Sequence, residues 1–533
     1  MLDTLGQVLP RAAKKYGHKA ALAVGDRSFS FIELNELSNR LANGLQKLGV
    51  TAGDRVTLYS QNGWQWIVSY YAIAKLGAVI NPINVMLTPE EVLYVVKDCG
   101  AKAILASSDK GQALMTIKGA SPLQDIILFG DETLAGAISF NMLLEENQSE
   151  FEDVSFDPHR LSTIGYTSGT TGHPKGAMLT HRSVLLNSAM TATMHVRTSV
   201  DTVVTALPCA HVYGNVVMNG AFLCGMTLVL LQRFNEAEVL QAIQTHRATM
   251  VEGVPTMYLY LLTYPDLDKY DLSSLTRCTV GGQTMPVAKM EDVERRFGCP
   301  LLELWGMTEI GGLGTTHPFY GPHRLGSIGI PLPYVECRIV DPSDAGKVLG
   351  PDEIGELMIR GPIVMQGYYG NEAATRSTIE PDGWLHTGDL ARLDAEGYIY
   401  IIDRKKDMII TAGYNVYPAE IERVIAAHPA VAMVAVGSQP DDLKGEIAKA
   451  YIVLKGGAQA DEESILAFCR EHLAAYKVPR TVQFVADLPK TSTGKIMRRL
   501  LRTLNKEPVR GNHSESAPQT KLSDIDQNFL LLS

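Results

Sequence analysis

The run Tyr166-Thr167-Ser168-Gly169-Thr170-Thr171-Gly172-His173-Pro174-Lys175-Gly176 gathers hydroxyls, glycines and a lysine into one short stretch. Small residues let backbone N–H groups turn inward, hydroxyls add donors, and lysine adds charge, so the loop suits phosphate oxygens. It is not a Walker loop, which needs Gly-Lys-Ser/Thr opening a helix. Here Pro174 precedes Lys175 and Gly176-Ala177-Met178-Leu179 continues as a strand, so the reading is strand–loop–strand. A tight hairpin has only two to five turn residues. Downstream, the charged run Arg404 to Asp407 reads on its own as a linker or a solvated turn.

The elements that must position these residues show a regular alternation. Ser30-Phe31-Ile32-Glu33 is a capping box, followed by Leu34, Leu37, Leu41, Leu45 and Leu48 at helical spacing and stopped by Gly49. A strand over Arg55–Tyr59, a helix over Gly63–Leu76, a strand over Ala78–Ile80, a helix capped by Thr88 and a strand over Ala103–Leu105 follow. Strand and helix alternating at this pace imply an α/β sheet covered by helices. A second such block spans about 161–330, and a Gly-rich, β-rich stretch about 331–404. After Arg404 the style becomes α+β, with strands over Ala432–Val436 and Ala448–Leu454 and helices over Pro418–Ala427 and Glu462–Ala475. The expected fold is therefore α/β: a large N-terminal domain over 1–404, made of α/β subdomains (about 1–160 and 161–330) plus a β-rich subdomain. A small mobile α+β C-terminal domain (405–510) and a flexible tail (511–533) complete it.

Composition narrows the function classes. The 533 residues carry 48 Lys plus Arg against 58 Asp plus Glu, a net charge of −10, which argues against nucleic acid as the main partner. Seven scattered cysteines without a C-x-x-C pair argue against zinc knuckles and a disulfide framework, and suit a reducing cytoplasm. The N-terminus lacks a signal pattern, and the apolar stretch Val216–Leu231, broken by Asn219 and Gly220, reads as buried core rather than a membrane span.

Five segments in order then resemble the adenylate-forming superfamily, which holds acyl-CoA synthetases, carrier-protein adenylation domains and beetle luciferases. They are the loop from Tyr166, Leu304-Trp305-Gly306-Met307-Thr308-Glu309, Trp384-Leu385-His386-Thr387-Gly388-Asp389, Asp403-Arg404-Lys405-Lys406-Asp407, and Leu488-Pro489-Lys490-Thr491-Ser492-Thr493-Gly494-Lys495. The resemblance implies attack of a carboxylate on the α-phosphate of ATP, then transfer of the acyl group to a thiol. It assigns Thr167, Ser168, Gly169, Thr170, Thr171, Gly172 and Lys175 to the phosphates, Glu309 to Mg²⁺, and Thr308 to the α-phosphate. Asp389 and Arg404 would take the ribose hydroxyls, and Trp305 would stack on adenine opposite Gly281, Gly282 and Gln283. Lys495 would be the catalytic lysine, Lys406 the hinge about which the small domain turns, and Gly413 a lining of the pantetheine tunnel. His211 would be the gate between acyl pocket and thiol channel, and not a general base. Trp305 stands where Tyr is usual, Ala412 where Gly is frequent, Leu304 where a small residue is often seen, and Val217 where a phenol-binding side chain is expected.

The implied activity is a carboxylic acid:CoA ligase using ATP, Mg²⁺ and coenzyme A. Its acyl pocket would be lined by Val212, Val216, Val217, Met218, Leu304 and Leu313, suiting a fatty or arylalkanoic acid of modest length. The alternative is a stand-alone enzyme loading a carrier-protein thiol; no Asp-Ser-Leu phosphopantetheine site follows. A luciferase-like oxygenase and a non-catalytic nucleotide-binding module are further alternatives. The ending Leu531-Leu532-Ser533 is no peroxisomal signal, and both Glu309 and Lys495 are present. The expected partners are small molecules only, without nucleic acid or a membrane span, for a cytoplasmic monomer or homodimer.

Overall fold

The computed structural model describes residues 3–130, 134–152, 156–167, 174–411, 414–441, 444–491 and 496–506. Ser168–His173, Ala412, Gly413, Ser492–Lys495 and the tail beyond 506 lie outside the described residues.

Local signals fold as their chemistry dictates. The Ser30 box is closed from both sides, Glu33 N–H to Ser30 Oγ at 3.2 Å and Ser30 N–H to Glu33 Oε2 at 2.7 Å, and it starts the helix Phe31–Lys47. Thr88 and Glu91 form a second box, ahead of the helix Pro89–Asp98. The apolar stretch from Val216 folds as the helix Val212–Cys224 and the strand Thr227–Leu230, inside the core. No helix among the described residues is long and apolar enough to cross a membrane. All seven cysteines are free thiols.

Two large sheets form the body, and they exchange strands across residue 160. Among the described residues a seven-stranded sheet runs Ile138–Ser139, Asp125–Phe129, Ala103–Ser107, Arg55–Tyr59, Val79–Pro82, Leu161–Thr167, Lys175–Thr180. The strands on both sides of the phosphate-type loop thus belong to the first block's sheet. The nine-stranded sheet carries the second block, and its far edge is the N-terminal hairpin Ala20–Val24 and Arg27–Ser30, with Leu22 and Ala23 parallel to Leu228 and Val229. One buried cluster joins the two blocks, from Leu5 and Leu9 through Trp66, Tyr70 and Tyr71 to Val216, Phe222 and Leu304.

A five-stranded antiparallel sheet ends at Ile399–Arg404, and the next strand, Ile409–Thr411, already belongs to the α+β sheet of the small domain. There the hairpin is longer than periodicity indicates: Val431–Asp441 pairs with Gly445–Leu454 along its whole length. The helix Glu462–His472 ends earlier, because Leu473 turns extended and packs against the small-domain core. The small domain rests on the large one through Leu259 and Tyr260, which pack against Met433, Ala435, Tyr451, Leu488 and Leu501.

Candidate active site

The loop enters and leaves on an antiparallel pair whose register sets Thr167 opposite Lys175 and Tyr166 opposite Gly176. The two strands that flank residues 168–173 are thus neighbours in one sheet, as the sequence reading expects. The helix Pro89–Asp98 ties down both ends: Tyr166 Oη donates to Asp98 Oδ2 at 2.5 Å and Tyr94 Oη to the Pro174 carbonyl at 3.4 Å.

The second contributor is the strand Leu301–Met307 and the single turn Thr308–Ile310 that ends it. A β-bulge between Trp305 and Gly306 interrupts its pairing with Gly312–Thr316. Bulges re-aim side chains. Gly306 is obligatory here, since a Cβ would lie 1.9 Å from the Gly312 carbonyl oxygen. Gly281, paired with Leu304, is equally constrained: its Cβ would meet Leu304 Cδ1 at 2.2 Å. Gly282 is exposed and Gln283 half-buried just beyond. The turn brings Thr308 over the strand Leu161–Thr167, its methyl 2.8 Å from where a Cβ on Gly165 would be. Glu309 is buried beside it, and burial raises its carboxyl above the usual carboxylate range.

The β-rich part supplies the third set. Asp389 and Arg404 face each other across the pair Leu385–Leu393 and Ile399–Arg404, so their contact, Arg404 Nε to Asp389 Oδ1 at 3.1 Å, follows from register. Trp305 Nε1 donates to Asp389 Oδ2 at 2.7 Å, across 84 positions of sequence. Both oxygens of Asp389 are thus engaged, although each carboxylate oxygen has a second lone pair to offer a ligand hydroxyl. The indole is buried and packs on Gly314. Lys406 is exposed in the turn after Arg404.

Tyr368 joins these sets and was missed by sequence reasoning. Its Oη donates to Glu309 Oε1 at 2.8 Å, and its ring centroid is 5.2 Å from Lys175 Nζ. Gly367-Tyr368-Tyr369-Gly370 shows no pattern of chemistry in the sequence; only the fold lays it against both residues.

A cleft of about 50 Å³ opens where Gly165, Tyr166 and Thr308 meet His211, Val212 and Asn215. His211 caps the helix Val212–Cys224, its Nδ1 accepting from Tyr213 N–H at 3.3 Å, and it is exposed rather than packed in the core. Of the six residues expected to line an acyl pocket, Val212 reaches this cleft; Val216, Val217, Met218, Leu304 and Leu313 are packed into the large core. A larger depression of about 330 Å³, lined by Asp268, Arg295 and Arg296 among others, contains none of the candidate residues.

Thr167, Lys175, Thr308, Glu309, Trp305, Asp389, Arg404 and His211 therefore form one neighbourhood of cationic, anionic and hydroxyl groups along the seam between the sheets. Ser168, Gly169, Thr170, Thr171, Gly172, Gly413 and Lys495 lie outside the described residues. No cluster of three or more His, Cys, Asp or Glu able to hold a metal occurs among the described residues. One buried carboxylate suits a magnesium ion that shares its coordination with substrate phosphates, the usual manner for that cation.

Comparison with known proteins shows the family of the chain. Residues 9–369 match the AMP-binding enzyme family and residues 420–495 the AMP-binding enzyme C-terminal domain. The chain is 35% identical over 528 residues to a long-chain-fatty-acid–CoA ligase of Bacillus subtilis (strain 168), covering 93% of this chain and 94% of the relative. It is 34% identical to a feruloyl-CoA synthase of an Amycolatopsis species, covering 93% and 97%. The crystal structure of the anthranilate CoA ligase AuaEII with anthranoyl-AMP superposes with a TM-score of 0.89 at 30% identity, covering 94% and 97%. The chain thus belongs to the AMP-binding enzymes of the adenylate-forming superfamily, as an acid–thiol ligase of the acyl-CoA synthetase branch.

Proposed function

We propose that the enzyme activates a fatty or arylalkanoic acid of modest length and passes it to CoA in two half-reactions. First, a carboxylate oxygen attacks the α-phosphorus of ATP, the bond to the β-phosphate breaks, and pyrophosphate leaves. Then the CoA sulfur attacks the acyl carbon, its proton is lost to solvent, and AMP leaves. The convergence of Lys175, Glu309 and the Asp389–Arg404 pair on one seam supports this reading most directly.

Each residue has a physical task. Two anions must approach each other, so positive charge is needed where they meet and where pyrophosphate departs. Lys175, with Thr167 and the loop residues Ser168–Gly172, holds the phosphates; Thr308 donates to the α-phosphate. Glu309 fits as the ligand of Mg²⁺, which neutralises phosphate charge when bound. Asp389 and Arg404 orient the ribose, and Trp305 with Gly281, Gly282 and Gln283 frames the adenine slot. Lys495 stabilises the charge developing between carboxylate and α-phosphate. Rotation about Lys406 then exchanges Lys495 for the Gly413 face and its pantetheine path, past the gate at His211. The fatty and aromatic acids in the names of the relatives support an apolar acid in the cleft beside Val212.

Pyrophosphate release against a panel of carboxylic acids, with and without CoA, tests the reading. Acid-dependent release with CoA-dependent thioester formation is expected for a fatty or arylalkanoic acid of modest length. Release without any thioester on free CoA would refute it in favour of a carrier-protein acceptor.

A further inference from the structure

The segment Met365–Tyr369 is bound to two walls of the site at once. On one side it extends the seven-stranded sheet past its edge strand Lys175–Thr180. Gln366 N–H donates to the Met178 carbonyl at 2.9 Å, Met178 N–H to the Gly367 carbonyl at 2.9 Å, and Tyr369 N–H to the Gly176 carbonyl at 2.8 Å. On the other side Met365 N–H donates to the Glu309 carbonyl at 2.8 Å. Tyr368, held by its own N–H to Thr375 Oγ1 at 2.9 Å and only 7% exposed, fills the space between.

We propose that Tyr368 is a positioning residue of the ligase site: its hydroxyl orients Glu309 for a divalent cation and its ring orients Lys175 for the nucleotide phosphates. The inference rests on the reading above, in which Glu309 and Lys175 serve the cation and the phosphates. Lys175 and Glu309 carry opposite charges in one seam, and a direct ion pair would occupy the very groups the nucleotide and cation need. Among the described residues the two are not ion-paired; each contacts Tyr368 instead. The phenol oxygen donates to one carboxylate oxygen, which fixes the carboxyl plane and leaves the second oxygen's lone pairs for a ligand. The ring face attracts the ammonium through its quadrupole and narrows the arc of a flexible four-carbon stem without neutralising it. A hydrogen-bonded carboxylate of this kind is what keeps a metal ligand oriented before the metal arrives.

Two substitutions separate the hydroxyl from the ring. Tyr368→Phe keeps the ring, and Tyr368→Leu removes both. Binding of ATP is measured calorimetrically in EDTA, and Mn²⁺ affinity of the enzyme–ATP complex by electron paramagnetic resonance. Circular dichroism and melting temperature establish that each variant is folded. The Phe variant should lose roughly 10- to 100-fold in Mn²⁺ affinity with metal-free ATP binding unchanged. The Leu variant should lose the same Mn²⁺ affinity and, in addition, roughly 2- to 30-fold in metal-free ATP binding. Glu309→Gln is the control, and adding Tyr368→Phe to it should cost nothing further in Mn²⁺ affinity. If Glu309→Gln removes Mn²⁺ binding but Tyr368→Phe retains it, the positioning role is overturned and the metal reading stands. If Glu309→Gln binds Mn²⁺ as the parent does, both fall. Equal loss of metal-free ATP binding in the Phe and Leu variants overturns the division between hydroxyl and ring.

Discussion

Replacing Glu303 by glutamine tests how the floor of the site tolerates a buried carboxyl. Glu303 lies on the strand Leu301–Met307, two residues before Trp305, and is 2% exposed. Among the described residues its Oε2 has no hydrogen-bond partner, and a hydrogen bond from the Gly326 backbone only partly opposes the effect of burial. Burial pushes this carboxyl up from 4.5 to about 8. Between those two values the folded enzyme keeps a proton that the unfolded chain releases, so folding binds protons and stability falls as pH rises. At 1.36 kcal/mol per unit, the span from 4.5 to about 8 is worth on the order of 5 kcal/mol. The stabilising protonated form is fully present below 4.5 and is lost as pH passes about 8. Glutamine has nearly the same shape and no titration. His317 is a titrating neighbour on the backbone side, its Nδ1 meeting the Glu303 carbonyl at 3.3 Å. Burial holds it down to about 4 from its usual 6.5, so between those values it adds a slope of the opposite sign, which parent and variant share and their comparison cancels. Unfolding of the parent and Glu303→Gln is followed by calorimetry and urea titration from pH 5 to 8.5. The two should lie close at pH 5 and diverge in favour of the variant, by a few kcal/mol at pH 8. Parallel stability curves would refute the reasoning, because they would mean that Glu303 is equally solvated in the folded and unfolded states.

Asp389→Ala should raise the KM for ATP and lower the melting temperature together, since it also strips the acceptor from the buried Trp305 N–H, worth about 1–3 kcal/mol. Asp389→Asn keeps an acceptor, so it should melt near the parent but still show the raised KM; an unchanged KM in the Ala variant rejects a ribose role. Leu304→Gly should shift the accepted acyl chain to greater length and cost at least about 2–5 kcal/mol of stability, by opening space against Gly281. Superimposable chain-length profiles would exclude Leu304 from the pocket wall. Lys495→Ala should abolish acid-dependent pyrophosphate exchange while sparing thioester formation from preformed acyl-adenylate, and equal loss in both assays rejects its confinement to the first half-reaction.

The sequence carried the local structure well, because caps and periodicity act over a few residues. The Ser30 and Thr88 boxes close as their spacing demands, and the strands around the loop come out antiparallel. The α/β body, the β-rich part and the small α+β domain follow from alternation and its loss. The strand exchange across residue 160 left no trace in periodicity, since a strand's hydrophobic pattern does not say which sheet accepts it. In the site, residue types with strong chemistry were legible: Lys175, Thr308, Glu309, Asp389, Arg404. What holds them was not. The Trp305–Asp389 bond spans 84 positions and the Tyr368–Glu309 bond 59, and each depends on which sheet edges the fold brings together. Likewise Val216, Val217 and Met218 share the apolar character of a ligand pocket and of a packed core, and the structure puts them in the core.

The N-terminal hairpin has a consequence for how the chain is made. The strand Ala20–Val24 needs Thr227–Leu230 as its parallel neighbour. At about 5–20 residues per second the ribosome delivers that neighbour roughly 10–40 s after the hairpin. Through that interval Leu22 and Phe29, buried in the finished enzyme, have no sheet to cover them. The nascent chain therefore presents an apolar edge to chaperones from the first moments of synthesis. The seven-stranded sheet has all its strands by residue 180, but the hairpin that precedes it in the chain can take its final place only once residues 227–230 have been made.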